Sequence, residues 1–116
     1  ASNAVIDVIH EEGLLDNATA VGAHLMAELE AIAETTPQIG DVRGLGLMIG
    51  VEVVDPETGA LDGELSESIM HAAWEHGLLV VPCGESTVRL APPLTITREE
   101  AKMGAELFER ALADVV

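Results

Sequence analysis

Basic side chains are scarce in this 116-residue sequence: 5 Lys and Arg stand against 21 Asp and Glu, for a formal net charge of −16, and Lys102 is the only lysine. A surface of that sign repels phosphate backbones and anionic lipid, so neither nucleic acid nor a membrane is expected as a partner. The imbalance is also what a salt-rich cytoplasm favours, because screening there shortens charge repulsion to a few Å. Aromatic residues are limited to Trp74 and Phe108, with no tyrosine, so a core has to be assembled from Ala, Val, Leu, Ile and Met. Cys83 is the one cysteine and has no partner for an internal disulfide, in keeping with a reducing compartment. No apolar run of about 18 residues and no basic-then-apolar leader occurs, so neither a membrane span nor a secretory signal is expected, and the expected location is cytoplasmic.

What is present suffices for one folded unit. The chain is 48% apolar, and at this length a single domain buries roughly two-thirds of its unfolded surface. Helical periodicity runs from Ala1 to Glu12, with Val5, Ile6 and Ile9 on one side and Gly13 as a stop. It starts so abruptly that a cut from a longer chain is expected. A second helix is predicted from Leu15 to Glu34, with Asp16 as N-cap, Ala18, Val21, Leu25, Leu29 and Ile32 inward, and Thr35-Thr36-Pro37 ending it.

Val42 to Val54 reads as one strand. Leu45, Leu47, Ile49, Val51 and Val53 form its buried face, and Gly44, Gly46, Met48, Gly50 and Glu52 the other. Three glycines on one face suit a site wall that a ligand can approach, or tight sheet packing and a bend; the residues do not choose between the two. A turn at Asp55–Gly59 and a polar loop to Glu64 lead to a short helix, Leu65 to His76, with Leu65, Ile69, Ala72 and Ala73 inward and Gly77 closing it. Leu78–Val81 reads as a buried strand, and Pro82–Ser86 turns the chain back into Thr87–Leu90 as an antiparallel pair. Thr97 followed by Glu100 is a capping box opening the last helix, whose inner stripe is Ala101, Ala105, Phe108, Leu112 and Val115. The predicted fold class is α+β: a small, mainly antiparallel sheet covered by helices.

Complete catalytic sets are missing. His71 and His76 are five apart on a helix and do not share a face, no second Cys or His lies beside Cys83, and no metal site is expected. There is no Gly-x-Ser-x-Gly elbow, and the glycines between Gly44 and Gly50 lead into a strand rather than a helix N-terminus. Cys83, in a Pro-Cys-Gly turn, reads as an ordinary small residue. Arg89 is different. It stands on the strand face opposite Val88 and Leu90, and Pro92-Pro93 then ends the strand, since neither proline can donate to a ladder. A rigidly mounted guanidinium suits a planar carboxylate or phosphate. Composition alone favours the blander outcome, a solvated or salt-bridged arginine.

The blocks Arg43-Gly44-Leu45-Gly46-Leu47-Met48-Ile49-Gly50-Val51-Glu52, Gly77-Leu78-Leu79-Val80 and Val88-Arg89-Leu90-Ala91-Pro92-Pro93-Leu94-Thr95-Ile96-Thr97 come in an order that resembles the C-terminal small domain of class III pyridoxal-phosphate aminotransferases. Val5–Leu15 is similar to the helix by which that domain is entered, so residues 1–14 are expected to connect to a large domain. The resemblance implies a three- to four-stranded antiparallel sheet with helices on one side, packed against a large cofactor-binding domain, in an enzyme that moves an amino group from an amino acid, ω-amino acids included, to a 2-oxo acid. It implies pyridoxal 5′-phosphate as cofactor, a homodimer, and Arg89 as the grip on a substrate carboxylate, which reverses the blander reading. The Schiff-base lysine and the other cofactor-binding residues of that family belong to the large domain, and Lys102 matches none of them. The segment alone is therefore expected to be inactive and to bind no cofactor. Arg43 fits the family's Arg-Gly pair, with a structural role such as an ion pair. Asp55–Gly59 and Cys83-Gly84 look more like 4-aminobutyrate-type than acetylornithine-type members. The competing expectation is a standalone anion-binding or regulatory module.

Overall fold

A computed structural model of all 116 residues contains four helices and one four-stranded antiparallel sheet. In chain order they are α1 (Ser2–Glu11), α2 (Leu14–Glu34), β1 (Ile39–Leu45), β2 (Met48–Val53), α3 (Gly63–Glu75), β3 (Val81–Cys83), β4 (Thr87–Leu90) and α4 (Arg98–Val115). The sheet order is β1-β2-β4-β3, so β2 and β4 are central and β1 and β3 are edges. The α+β class and the antiparallel sheet agree with the sequence reading, and four strands fall within the three or four that the resemblance implied, whereas the residues alone gave three.

The helices collect on one face of the sheet. Ile49, Val51 and Val53 of β2 and Val88 of β4 are fully buried there, against Leu25, Leu29 and Ile32 of α2, Ile69 and Ala73 of α3, and Phe108 of α4. With only one phenylalanine available, the layer closes through small residues. Ala101, Ala105 and Ala111 let α4 approach α2 and α3, and Phe108, with no exposed surface, fills the space between them. The start of α4 follows from local chemistry: Thr97 Oγ1 accepts from the Glu100 backbone N–H, and the Glu100 carboxylate accepts from the Thr97 N–H.

Several elements differ from the sequence reading. The stretch Val42 to Val54 is a hairpin of β1 and β2, not one strand. Leu45 pairs with Met48 across a two-residue turn, Gly46-Leu47. Gly46 has φ 57° at the first central position, as the primed turns that match strand twist require. Leu45 is therefore 90% exposed at the hairpin tip, while Leu47 is buried. The three glycines also separate. Gly46 is in the turn, Gly44 pairs with Ile49 and so lies on the helix face, and Gly50 alone remains on the open face. The turn packs onto α2 where Gly22 meets the Gly46 carbonyl, an approach that leaves no room for a Cβ. Leu78–Val81 is not a strand as a unit. β3 begins only at Val81, and Val80 is buried in the preceding segment, its carbonyl accepting from Trp74 Nε1 at 2.9 Å. Helix α2 starts after Gly13, in left-handed conformation, with Asp16 inside the first turn rather than at the cap. Helix α3 starts earlier than Leu65, at Gly63, with Asp62 capping the Leu65 N–H at 2.9 Å. Helix α1 buries none of its residues and leaves Val5, Ile6 and Val8 exposed.

Candidate functional site on the open sheet face

The sheet face without helices is where the charged groups converge. Cross-strand partners share a face, so the registers set out two adjacent rungs. One runs Arg43, Gly50, Arg89, Val81; the next runs Asp41, Glu52, Thr87, Cys83. Arg43, Gly50 and Arg89 of the first rung and Thr87 and Cys83 of the second, together with Met48, line a concavity of about 510 Å³. Gly50 is the floor between the two arginines. A Cβ there would meet Thr87 Cγ2 at 3.0 Å, which is tighter than ordinary contact.

The two arginines are in opposite states. Arg43 Nη1 lies 3.1 Å from Asp41 Oδ2 and 3.1 Å from Glu52 Oε2, and its Nη2 donates to Thr87 Oγ1 at 3.3 Å. The hydrogen bonds to Asp41 and then Glu52 raise the already high pKa of this guanidinium, so it is a fixed cation. The ion pair expected of Arg43 is thus present, shared between two carboxylates. Arg89 takes part in none of the chain's ion pairs, and its Nε is buried without a hydrogen-bond partner. Buried side-chain atoms without a hydrogen-bond partner are otherwise His24 Nε2 and Ser86 Oγ, so in a chain with 21 acidic residues Arg89 is the one permanently charged group left in this state.

Its mounting is rigid on both sides. Val88 and Leu90 anchor β4 in the core at 0% and 5% exposure. Beyond the strand, Asn17 of α2 donates from Nδ2 to the Leu94 carbonyl at 2.7 Å and to the Ile96 carbonyl at 3.0 Å, pinning the segment that follows Pro92-Pro93.

The other titratable groups lie elsewhere. Lys102 is exposed on α4 and does not line the concavity that holds Arg89. His76 Nε2 sits 2.7 Å from Asp114 Oδ2, joining the ends of α3 and α4, while His24 and His71 each face a glutamate on their own helix. Cys83 is exposed at the edge of the concavity. Asp41, Glu52 and Thr87, which organise Arg43, were not singled out from sequence. The available signal was length, since Val42 to Val54 exceeds the usual strand of 3–10 residues and has Gly46 two residues before its midpoint.

Residues 1–112 match the family model for class-III aminotransferases. The chain belongs to that family. Among curated relatives it is 43% identical to an alanine/serine racemase of Pyrococcus horikoshii, over 100% of this chain and 25% of that protein. It is 41% identical to a diaminobutyrate–2-oxoglutarate aminotransferase of Rhizobium meliloti, over 86% of this chain and 23% of that one. It is also 37% identical to the 4-aminobutyrate aminotransferase GabT of Escherichia coli, over 95% of this chain and 26% of that enzyme. The chain thus spans about a quarter of the length of the curated relatives it matches. Among solved structures, an amine transaminase from an uncultivated Pseudomonas species, in its PLP-bound form, superposes with a TM-score of 0.89 at 38% identity, over 97% of this chain and 26% of that one. A phospholyase from Arthrobacter, in complex with phosphoethanolamine, superposes with a TM-score of 0.92 at 27% identity, over 97% of this chain and 28% of that one. The class III aminotransferase family is pyridoxal-phosphate-dependent, and no helix of this chain is long and apolar enough to cross a membrane.

Proposed function

We propose that this chain is the C-terminal small domain of a cytoplasmic, pyridoxal-phosphate-dependent enzyme that transfers an amino group from an amino acid, ω-amino acids included, to a 2-oxo acid, and that Arg89 holds the substrate carboxylate. The observation that carries the reading is the unpaired state of Arg89 beside the ion-paired Arg43. A guanidinium whose Nε is buried and unpartnered gains most from a ligand with two coplanar oxygens.

The residues present do not make a cofactor cradle. Pyridoxal phosphate needs an amine for its aldehyde, a carboxylate for its pyridine nitrogen and donors for its phosphate. The only lysine is exposed on α4, away from the concavity. The cofactor therefore belongs to the remaining three-quarters of a chain as long as its relatives, residues 1–14 connect to that large domain, and this segment by itself neither transaminates nor binds the cofactor. Exposed Leu15, Leu45 and Met48 beside the concavity are the surface that the large domain covers, in an enzyme that works as a homodimer.

The test uses the full-length protein. Arg89→Lys replaces a fork with a point charge and loses about one charge-assisted hydrogen bond, roughly 1.5–3 kcal/mol, so KM for carboxylate substrates is expected to rise roughly 10- to 100-fold with cofactor absorbance unchanged. Unaltered turnover removes Arg89 from the site.

A second reading is favoured by the relatives. The alanine/serine racemase and a leucine/methionine racemase of Thermococcus litoralis, 41% identical over 99% of this chain, point to inversion at the α-carbon instead of amino transfer. Both reactions need the same carboxylate grip. Incubating the full-length enzyme with an L-amino acid and no oxo acid separates them, since the racemase forms the D-enantiomer and the aminotransferase does not turn over. A standalone anion-binding module, the remaining alternative, fails if the gene encodes a lysine-bearing domain ahead of Ala1.

A further inference from the structure

Glu52 has an arginine one rung away on each side. Its direct partners are Asp41 on β1 and Thr87 on β4. Two residues beyond Asp41 is Arg43, and two residues beyond Thr87 is Arg89, all on the open face. Such diagonal neighbours stand about 7–8 Å apart at their Cα atoms, within reach of long side chains. The reach is realised on one side only: Glu52 Oε2 contacts Arg43 Nη1 at 3.1 Å and makes no pair with Arg89. Arg43 reaches further still, to the Thr87 hydroxyl on β4, across a strand whose opposing residue, Gly50, has no side chain to block it.

We infer that Arg43 is a positioning residue for the carboxylate site: by binding Glu52 it keeps a carboxylate of the chain itself off Arg89. The inference rests on the reading of Arg89 as the substrate grip. A carboxylate tethered one rung away competes with substrate at a high local concentration, and an arginine occupied by its own chain binds substrate only in the fraction of molecules where it is free. Asp41 contributes by sharing Arg43, which spans both carboxylates through one nitrogen and so holds Glu52 turned toward β1. The site thus contains two arginines of different roles, one that binds and one that clears the way.

The experiment measures KM and kcat of the full-length enzyme for an amino acid and for a primary amine lacking a carboxylate. Arg43→Gln is expected to raise KM for the amino acid about tenfold, the factor for an Arg89 that is nine-tenths occupied by Glu52, with kcat and the amine's KM within about twofold of the parent. Adding Glu52→Gln to Arg43→Gln is expected to return KM for the amino acid to within about twofold of the parent. An equal rise for both substrates, or no recovery in the double variant, overturns the inference and makes Arg43 a purely structural residue. If Arg43→Gln does not fold, Arg43→Lys serves. One ammonium cannot reproduce the fork, and the same recovery by Glu52→Gln is required there. Arg89→Leu distinguishes the two levels. If it leaves KM for the amino acid unchanged, the Arg89 reading itself is wrong. If it raises that KM while Arg43→Gln does not, the Arg43 inference alone is wrong.

Discussion

Salt should stabilise this fold to an unusual degree, and the size of the effect follows from charge and dimensions. The net charge is −16 and the radius of gyration is 14.9 Å. That radius corresponds to a uniform sphere of about 19 Å, against about 45 Å for the unfolded chain by the usual size scaling. Spreading the charge over each sphere, with a Debye length of about 10 Å in 0.1 M salt and about 3 Å in 1 M, sets the repulsive cost of compaction at about 7 and about 3 kcal/mol respectively. The relief of about 4 kcal/mol is a large part of a typical domain stability of roughly 5–15 kcal/mol. At about 4 °C per kcal/mol for a chain of this length, Tm should rise by roughly 15 °C. The measurement is thermal unfolding by far-UV circular dichroism at neutral pH across that range of KCl. A Tm that stays flat refutes the electrostatic argument, and with it the expectation of a salt-rich cytoplasm drawn from the charge balance. So does an equal rise in sucrose, which strengthens burial without screening charge.

Two further substitutions test the packing. Gly22→Ala should gain about 1 kcal/mol from helix propensity alone, but the new methyl meets the Gly46 carbonyl, and overpacking typically costs about 1–3 kcal/mol. A lower urea midpoint is therefore expected, and a stabilised variant would show that the hairpin does not rest on α2. Phe108→Ala removes the one fully buried ring, with an expected loss of about 3–5 kcal/mol at an unchanged m-value. A loss below about 2 kcal/mol would mean that α4 collapses onto α2 and α3 without it.

How far the fold was legible depended on whether its cause was local. The Thr97–Glu100 capping box is a four-residue device, and the structure contains it as read. The inner stripe of α4 was equally plain, because its helical period is unbroken from Ala101 to Leu112. The hairpin was hidden because Leu45, Leu47, Ile49, Val51 and Val53 alternate without interruption through the turn, and Gly-Leu lacks the Asn-Gly or Asp-Gly signature. That error had a consequence for the site. In a single strand Arg43 and Glu52 fall on opposite faces, whereas the hairpin brings them to 3.1 Å on the same one. Arg89 was legible as a mounted guanidinium from Val88, Leu90 and the two prolines. Its lack of a partner was not, since that depends on where Glu52 turns, and Glu52 is set by a strand pairing rather than by its neighbours in sequence.

The strand order has one more consequence, for self-association. A sheet left bare on one face ordinarily invites growth at its rims, since unpaired strand backbones template further strands. Here both rims are poor templates. The β3 rim is three residues long and contains Pro82, which has no amide hydrogen to offer. The β1 rim is interrupted by an irregularity between Ile39 and Asp41 and carries Asp41 and Arg43. Copies of this segment that meet without the large domain should therefore do so face to face, through exposed Leu45, Met48 and their surroundings, in closed assemblies and not in fibrils.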